Sequence, residues 1–206
     1  MDWTEFLTIA IAHLLAVASP GPDFAIVTRQ SVTAGTRIGL WTSFGVGAGI
    51  LVHVSYCILG VALLLSQSPA LFNTMKLVAA AYLFYLGVQA IRESLRAVAT
   101  NGAEISVTVE PKQAFWSGFL TNGLNPKATL FFLALFTVVI DPETALGMQI
   151  FYGLYLAVAT FLWFAMLSSI LGRQGVRQFM LKAGVWFERG MGLLLIGLAV
   201  QITLSR

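Results

Sequence analysis

Six apolar blocks, separated by short polar connections, set the terms for what this 206-residue chain can form. They cover about residues 3–18, 37–65, 69–91, 114–140, 146–171 and 185–204. A membrane-spanning helix needs roughly 20 apolar residues in a row. Every block but the first reaches that length. The first is continued by residues 23–30, beyond the interruption Ser19-Pro20-Gly21-Pro22. Composition agrees: 10% of residues are charged and 58% are hydrophobic, where a soluble domain carries about one-quarter charged residues. The predicted fold is an all-α polytopic membrane protein with six transmembrane helices. No stretch outside the blocks is long enough to build a second core, so one membrane domain over residues 1–206 is expected.

Two blocks are broken by proline. In the first, Pro20 and Pro22 remove two backbone donors and Gly21 permits unusual dihedrals, which predicts a helix in two pieces, about 3–18 and 23–30. In the fourth, the break is Asn125-Pro126-Lys127. Carbonyls freed inside a bilayer need partners from protein or from a water-lined cavity. Ala16-Val17-Ala18 resembles a signal-peptidase site. The residues before it include Asp2 and Glu5 and no Lys or Arg, opposite to a signal peptide, so residues 3–18 are expected to be retained.

Nine of the twelve basic residues fall in three alternate connections. Arg29 and Arg37 follow block one. Arg92, Arg96 and Lys112 follow block three, and Arg173, Arg177, Lys182 and Arg189 follow block five. The other side has Lys76 and Arg206 with the acids Asp2, Glu5, Asp141 and Glu143. The positive-inside rule then puts the basic connections in the cytoplasm and both termini outside. Trp41, Trp116 and Trp186 each begin a block just after a basic connection, where interfacial tryptophan belongs.

Three spans per half is an odd number, so the halves must be inverted with respect to each other. Repeat 1 covers about 1–96, a cytoplasmic linker about 97–111, and repeat 2 about 112–206. Pro20 and Pro126 are 106 residues apart, close to half the chain, and each breaks the first helix of its repeat. Interrupted helices at matching positions of two halves point to a transporter's binding site.

Each break carries one ionisable side chain. Asp23 opens the second piece of the first helix, where the dipole favours a carboxylate and burial opposes the charge. It reads either as a proton or substrate ligand or as a simple N-cap. Lys127 sits near the middle of its block, where a lysine costs a few kcal/mol without a partner. Asp23, backbone carbonyls and an anionic substrate group are the three candidates. Asn122, Asn125, Thr121 and Thr129 add polar groups beside it. His13 and His53 read as hydrogen-bonded packing residues, and Cys57 as a small packed one. Glu188 and Arg189 stand near the inner end of block six, and their role stays open. Gly45 and Gly49 form a G-x-x-x-G, read first as helix packing inside one subunit, with a homodimer face as the alternative.

Other classes fit less well. The net charge of +3 is not clustered, so no nucleic-acid partner is expected. No Cys/His cluster suggests a metal. There is no Walker A pattern, so no cofactor is expected and any energy comes from a gradient. A hydrolase built on His13, Ser19 and Asp23 fails on geometry, because residues six apart on a helix are turned by about 240°; no catalytic residues are assigned. A passive aquaporin-like channel for small solutes is the remaining alternative, but the first break has no Asn.

Ser19-Pro-Gly-Pro-Asp-Phe24 together with Gly118-Phe-Leu-Thr-Asn-Gly-Leu-Asn-Pro-Lys-Ala128 resembles the lysine exporter family of amino-acid translocators, nearest to its homoserine/threonine exporter branch. The resemblance runs through the chain to its last stretch, Trp186 to Arg206. It implies a bacterial inner-membrane exporter of small neutral amino acids, driven by protons, with six spans. It also implies functional roles for Ser19, Pro20, Gly21, Pro22 and Asp23 and for Asn122, Asn125, Pro126 and Lys127. A zwitterionic substrate has both charges, and the two breaks offer one site of each sign.

Overall fold

The computed structural model describes residues 2–67, 108–141 and 143–171 as continuous chain, with scattered helical positions within 74–92 and 186–203. Apart from those positions, the third and sixth predicted spans and most of the linker lie outside the described residues. So do Lys76, Arg96, Arg173, Arg177, Lys182 and Glu188. The described residues form helices and turns, and no strand occurs among them.

Helix α1 (Trp3–Ala18) starts at Asp2, whose Oδ1 accepts from the backbone N–H groups of Thr4 at 2.8 Å and Glu5 at 3.3 Å. That cap meets two of the donors every helix start leaves unpaired. The helix ends at Ser19, because Pro20 and Pro22 cannot continue its hydrogen-bond ladder. Helix α2 (Pro22–Thr33) then begins with Pro22 in the first turn, where the missing N–H costs nothing. The two axes are bent by 54°. The second piece runs about three residues beyond the expected 23–30, since polar Ser31 and Thr33 stay helical. Arg29 is therefore on an exposed helix face rather than in a turn. The real turn is Ala34-Gly35, and Gly35 has φ +90°, a conformation that favours glycine.

Helix α3 (Thr36–Gln67) is the centre of the packing. Helix α4 (Pro111–Gly123) starts three residues before the predicted apolar block, because Pro111 serves as a first-turn residue after Glu110. It stops at Leu124-Asn125, and α5 (Pro126–Ala134) follows, capped by Asn125 Oδ1 accepting from Lys127 N at 3.0 Å. A short π-helical stretch, Leu135–Val139, ends that block. Helix α6 (Leu146–Ile170) has 25 residues, ~38 Å of helix. Among the described residues, two helices, the Thr36–Gly60 part of α3 and α6, are long and apolar enough to cross a membrane. The bent α1–α2 pair qualifies as a third.

Lipid tails are as apolar as leucine, so burial of apolar surface does not pull helices together inside a bilayer; close packing does. The glycines show this. A methyl group on Gly45 would run into the Phe115 carbonyl, and one on Gly118 into the Thr42 carbonyl. A methyl on Gly49 would stand 2.7 Å from Asn122 Oδ1. The Gly45–Gly49 motif is thus occupied by α4 of the same chain, which is the packing reading of that motif. On α6, Gly153 makes the same kind of room for Val54 of α3. At the scattered positions, Gly87 and Gly192 face each other just as closely.

The α1 start and the α5–α6 connection are fastened by one carboxylate. Glu5 accepts from Asp141 N at 2.8 Å, Thr144 Oγ1 at 3.0 Å and the Tyr152 hydroxyl at 3.0 Å. With Asp2, Asp141 and Glu143 it surrounds a concavity of about 520 Å³. The acids assigned to one side by charge counting lie together at one end.

Candidate functional site

The two broken helices meet at their breaks, and each break holds the ionisable group of the other. From the second break, Asn122 Nδ2 donates to Asp23 Oδ2 at 2.9 Å, and Asn125 Nδ2 donates to the same oxygen at 3.3 Å. From α5, Lys127 Nζ donates back to Ser19 Oγ at 2.9 Å and to the Pro20 carbonyl at 3.3 Å. These four bonds link residues about a hundred positions apart. Of the three candidate partners for Lys127, the first break supplies a backbone carbonyl, together with a hydroxyl.

Local chemistry explains the positions. Irregular backbone at residues 19–21 turns the Pro20 carbonyl out of the helical ladder, where a side-chain donor can reach it. Asn125 does two jobs at once: its Oδ1 caps α5 while its Nδ2 reaches Asp23. Asn122 is 1% exposed, Ser19 4% and Asn125 5%, whereas Asp23 and Lys127 are half-buried. Asp23 Oδ1 has no hydrogen-bond partner within the protein. It is an acceptor left over for a proton or for a donor on a ligand.

A cavity of about 60 Å³ lies at the meeting point. Seven of the nine residues singled out by sequence line it: Ser19, Gly21, Pro22, Asp23, Asn122, Asn125 and Lys127. Pro20 contributes its carbonyl from outside the lining, and Pro126 contributes only the break. Thr121 and Thr129 are not among the lining residues. Of the opposite wall, sequence reasoning named His13 alone, as a hydrogen-bonded packing residue. That wall consists of Ile50, Phe131, Phe132 and Phe164 together with a buried pair, His13 Nε2 and Thr160 Oγ1, 2.8 Å apart. The two are 147 positions apart, and no local pattern links them. His53 is also fully buried, between Phe132 and Tyr56, with Nε2 at 3.0 Å from the Asn122 carbonyl. His13 and Ser19 bond to Thr160 and Lys127 respectively, so they do not assemble a hydrolytic triad with Asp23.

A LysE type translocator family model matches residues 14–206. The chain belongs to that family. Its members are transporters and not enzymes. The chain is 26% identical to the threonine efflux protein of Escherichia coli K12, over 98% of both chains. It is 31% identical to the leucine efflux protein of Salmonella choleraesuis, over 96% of this chain and 94% of that one. An uncharacterised membrane protein of Pseudomonas aeruginosa is 34% identical, over 97% of this chain and 94% of that one. No solved structure matches the chain.

Membrane residence also accounts for the surface of α6. Leu146, Ile150, Leu154, Val158, Leu162 and Met166 recur every four residues as a stripe that winds slowly round the helix, and all are exposed. In water that stripe would be an aggregation surface; in lipid it is the solvent-facing side.

Proposed function

We propose that this translocator exports small neutral amino acids, threonine- and homoserine-like ones included, across the bacterial inner membrane in exchange for protons. The observation that carries the reading is the exchange of bonds between the breaks: α2 offers an acid, α5 offers a base, and each is held by the other helix. A zwitterion competes for both sets of bonds. Its carboxylate replaces Ser19 and the Pro20 carbonyl as partner of Lys127, and its ammonium approaches the uncommitted Asp23 Oδ1. Relatives that are threonine and leucine efflux proteins support an amino-acid substrate.

The cavity is smaller than the roughly 300 Å³ at the low end of ligand pockets. Loading therefore requires the breaks to move apart. This suits alternating access, in which one repeat rocks against the other around a central site. The proposed frame is six spans in two inverted three-helix repeats, residues 1–96 and 112–206, joined by a cytoplasmic linker, with both termini in the periplasm. Asp23 takes the returning proton when the substrate has left.

Purified protein in liposomes, given a panel of labelled amino acids and an imposed pH gradient, tests the reading. The expected result is saturable flux of a few small neutral amino acids that rises with the gradient. Flux linear in concentration and indifferent to pH would mean a passive channel.

A further inference from the structure

His53 lies outside the candidate site, yet it touches the backbone on which the site is built. Proline at 126 deprives the Asn122 carbonyl of its normal helical donor, four residues on. That carbonyl takes other donors instead. Asn125 N donates to it at 2.9 Å, closing a tight turn, and His53 Nε2 lies 3.0 Å away. A carbonyl only accepts, so the proton is on Nε2. The other ring nitrogen, Nδ1, is 2.7 Å from the Tyr56 hydroxyl. That hydroxyl also points toward the Thr129 carbonyl at 3.4 Å, which is too long to compete for its one proton. In a neutral ring with its proton on Nε2, Nδ1 accepts from Tyr56. The ring is stacked on Phe132 of α5, with centroids 5.4 Å apart and planes within 5°.

The result is a continuous series of contacts. It runs from Tyr56 and His53 on α3 to the Asn122 carbonyl, then through the Asn122 side chain to Asp23 Oδ2 on α2. We infer that His53 is a positioning residue for transport: by donating from Nε2 to the carbonyl that Pro126 leaves exposed, it sets the α4–α5 break so that Asn122 reaches Asp23. It does not touch the substrate and it does not carry the transported proton. Buried at 0% exposure, it links the central helix to the break that must move.

Two variants and two kinds of measurement test this. Glutamine places an amide donor at about the reach of Nε2, and alanine places none. His53→Ala should raise the KM for L-threonine in proteoliposomes roughly tenfold, the size of one lost buried hydrogen bond, with Vmax little changed. His53→Gln should return KM to within about threefold of the parent. Equal damage from both variants, or an unchanged KM in His53→Ala, would overturn the inference. This arm rests on the amino-acid export reading. The second arm needs no substrate. The chain has two histidines, so 15N-histidine NMR of the membrane-embedded His13→Asn variant reports His53 alone. A single ring proton on Nε2 is expected; a proton on Nδ1 contradicts the assignment. Amide exchange over residues 118–128 should rise in His53→Ala while α6 stays unchanged, and no local rise would contradict the role. Failure of threonine transport in the parent, with these results intact, counts against the substrate and not against His53.

Discussion

A lysine in the middle of a membrane segment costs about 2.5–3.5 kcal/mol on insertion scales unless it finds partners. Lys127 finds Ser19 Oγ at 2.9 Å and the Pro20 carbonyl at 3.3 Å. A hydrogen bond to a charged group contributes about 1.5–3 kcal/mol. Ser19→Ala should therefore leave Lys127 poorly held and reduce export roughly tenfold, read as initial rates, while Ser19→Thr keeps a hydroxyl and most of the activity. On the acid side the two asparagines differ. Asn122 is the closer donor and almost fully buried; Asn125 is 3.3 Å away. Asn122→Ala should impair transport more than Asn125→Ala in the same assay, and the reverse order would contradict the assignment. Which residues gather at the breaks could be read from residue type and position, because a charge in an apolar block demands an explanation. Which groups they bond to could not. Lys127 reaches Ser19 over a separation of 108 residues, and His13 reaches Thr160 over 147. Such distances are set by how helices pack.

At the level of the element, the breaks are the device, and proline makes them. Pro126 withholds the N–H that would tie the Asn122 carbonyl into a continuous α4–α5 helix. Pro126→Ala supplies that donor in competition with His53. The variant should be as thermally stable as the parent or more so, yet transport poorly, a trade between stability and function. A loss of both, measured by thermal melting and flux, would mean that the break serves structure alone. The breaks were legible because Pro and Gly act locally on the backbone. The extra turn of α2 was not, since Ser31 in it and Gln30 just before it are polar and yet buried. Gln30 is held by Thr42 at 2.6 Å, and Ser31 by the Val27 carbonyl at 2.7 Å. Nor was the π-helical stretch, where Thr137 Oγ1 turns back to the Leu133 carbonyl at 2.8 Å inside a uniformly apolar run.

For the molecule as a whole, apolar surface and charge distribution carry the argument. The exposed stripe on α6 belongs to lipid, and the acids around Glu5 gather at one end. If both termini are periplasmic, terminal fusions to a reporter active only in the periplasm should work, and fusions within residues 97–110 should be silent. Signals from the linker but not the termini would reverse the proposed orientation.

In the proposed mechanism the two breaks form one substrate site with a division of labour. Its most direct test is counterflow and gradient-driven flux in liposomes for Lys127→Ala and Asp23→Asn beside the parent. Lys127→Ala should insert normally and carry no amino acid. Asp23→Asn should retain some exchange and lose its response to the pH gradient. Normal export by Lys127→Ala, or gradient-driven export by Asp23→Asn, would contradict the account.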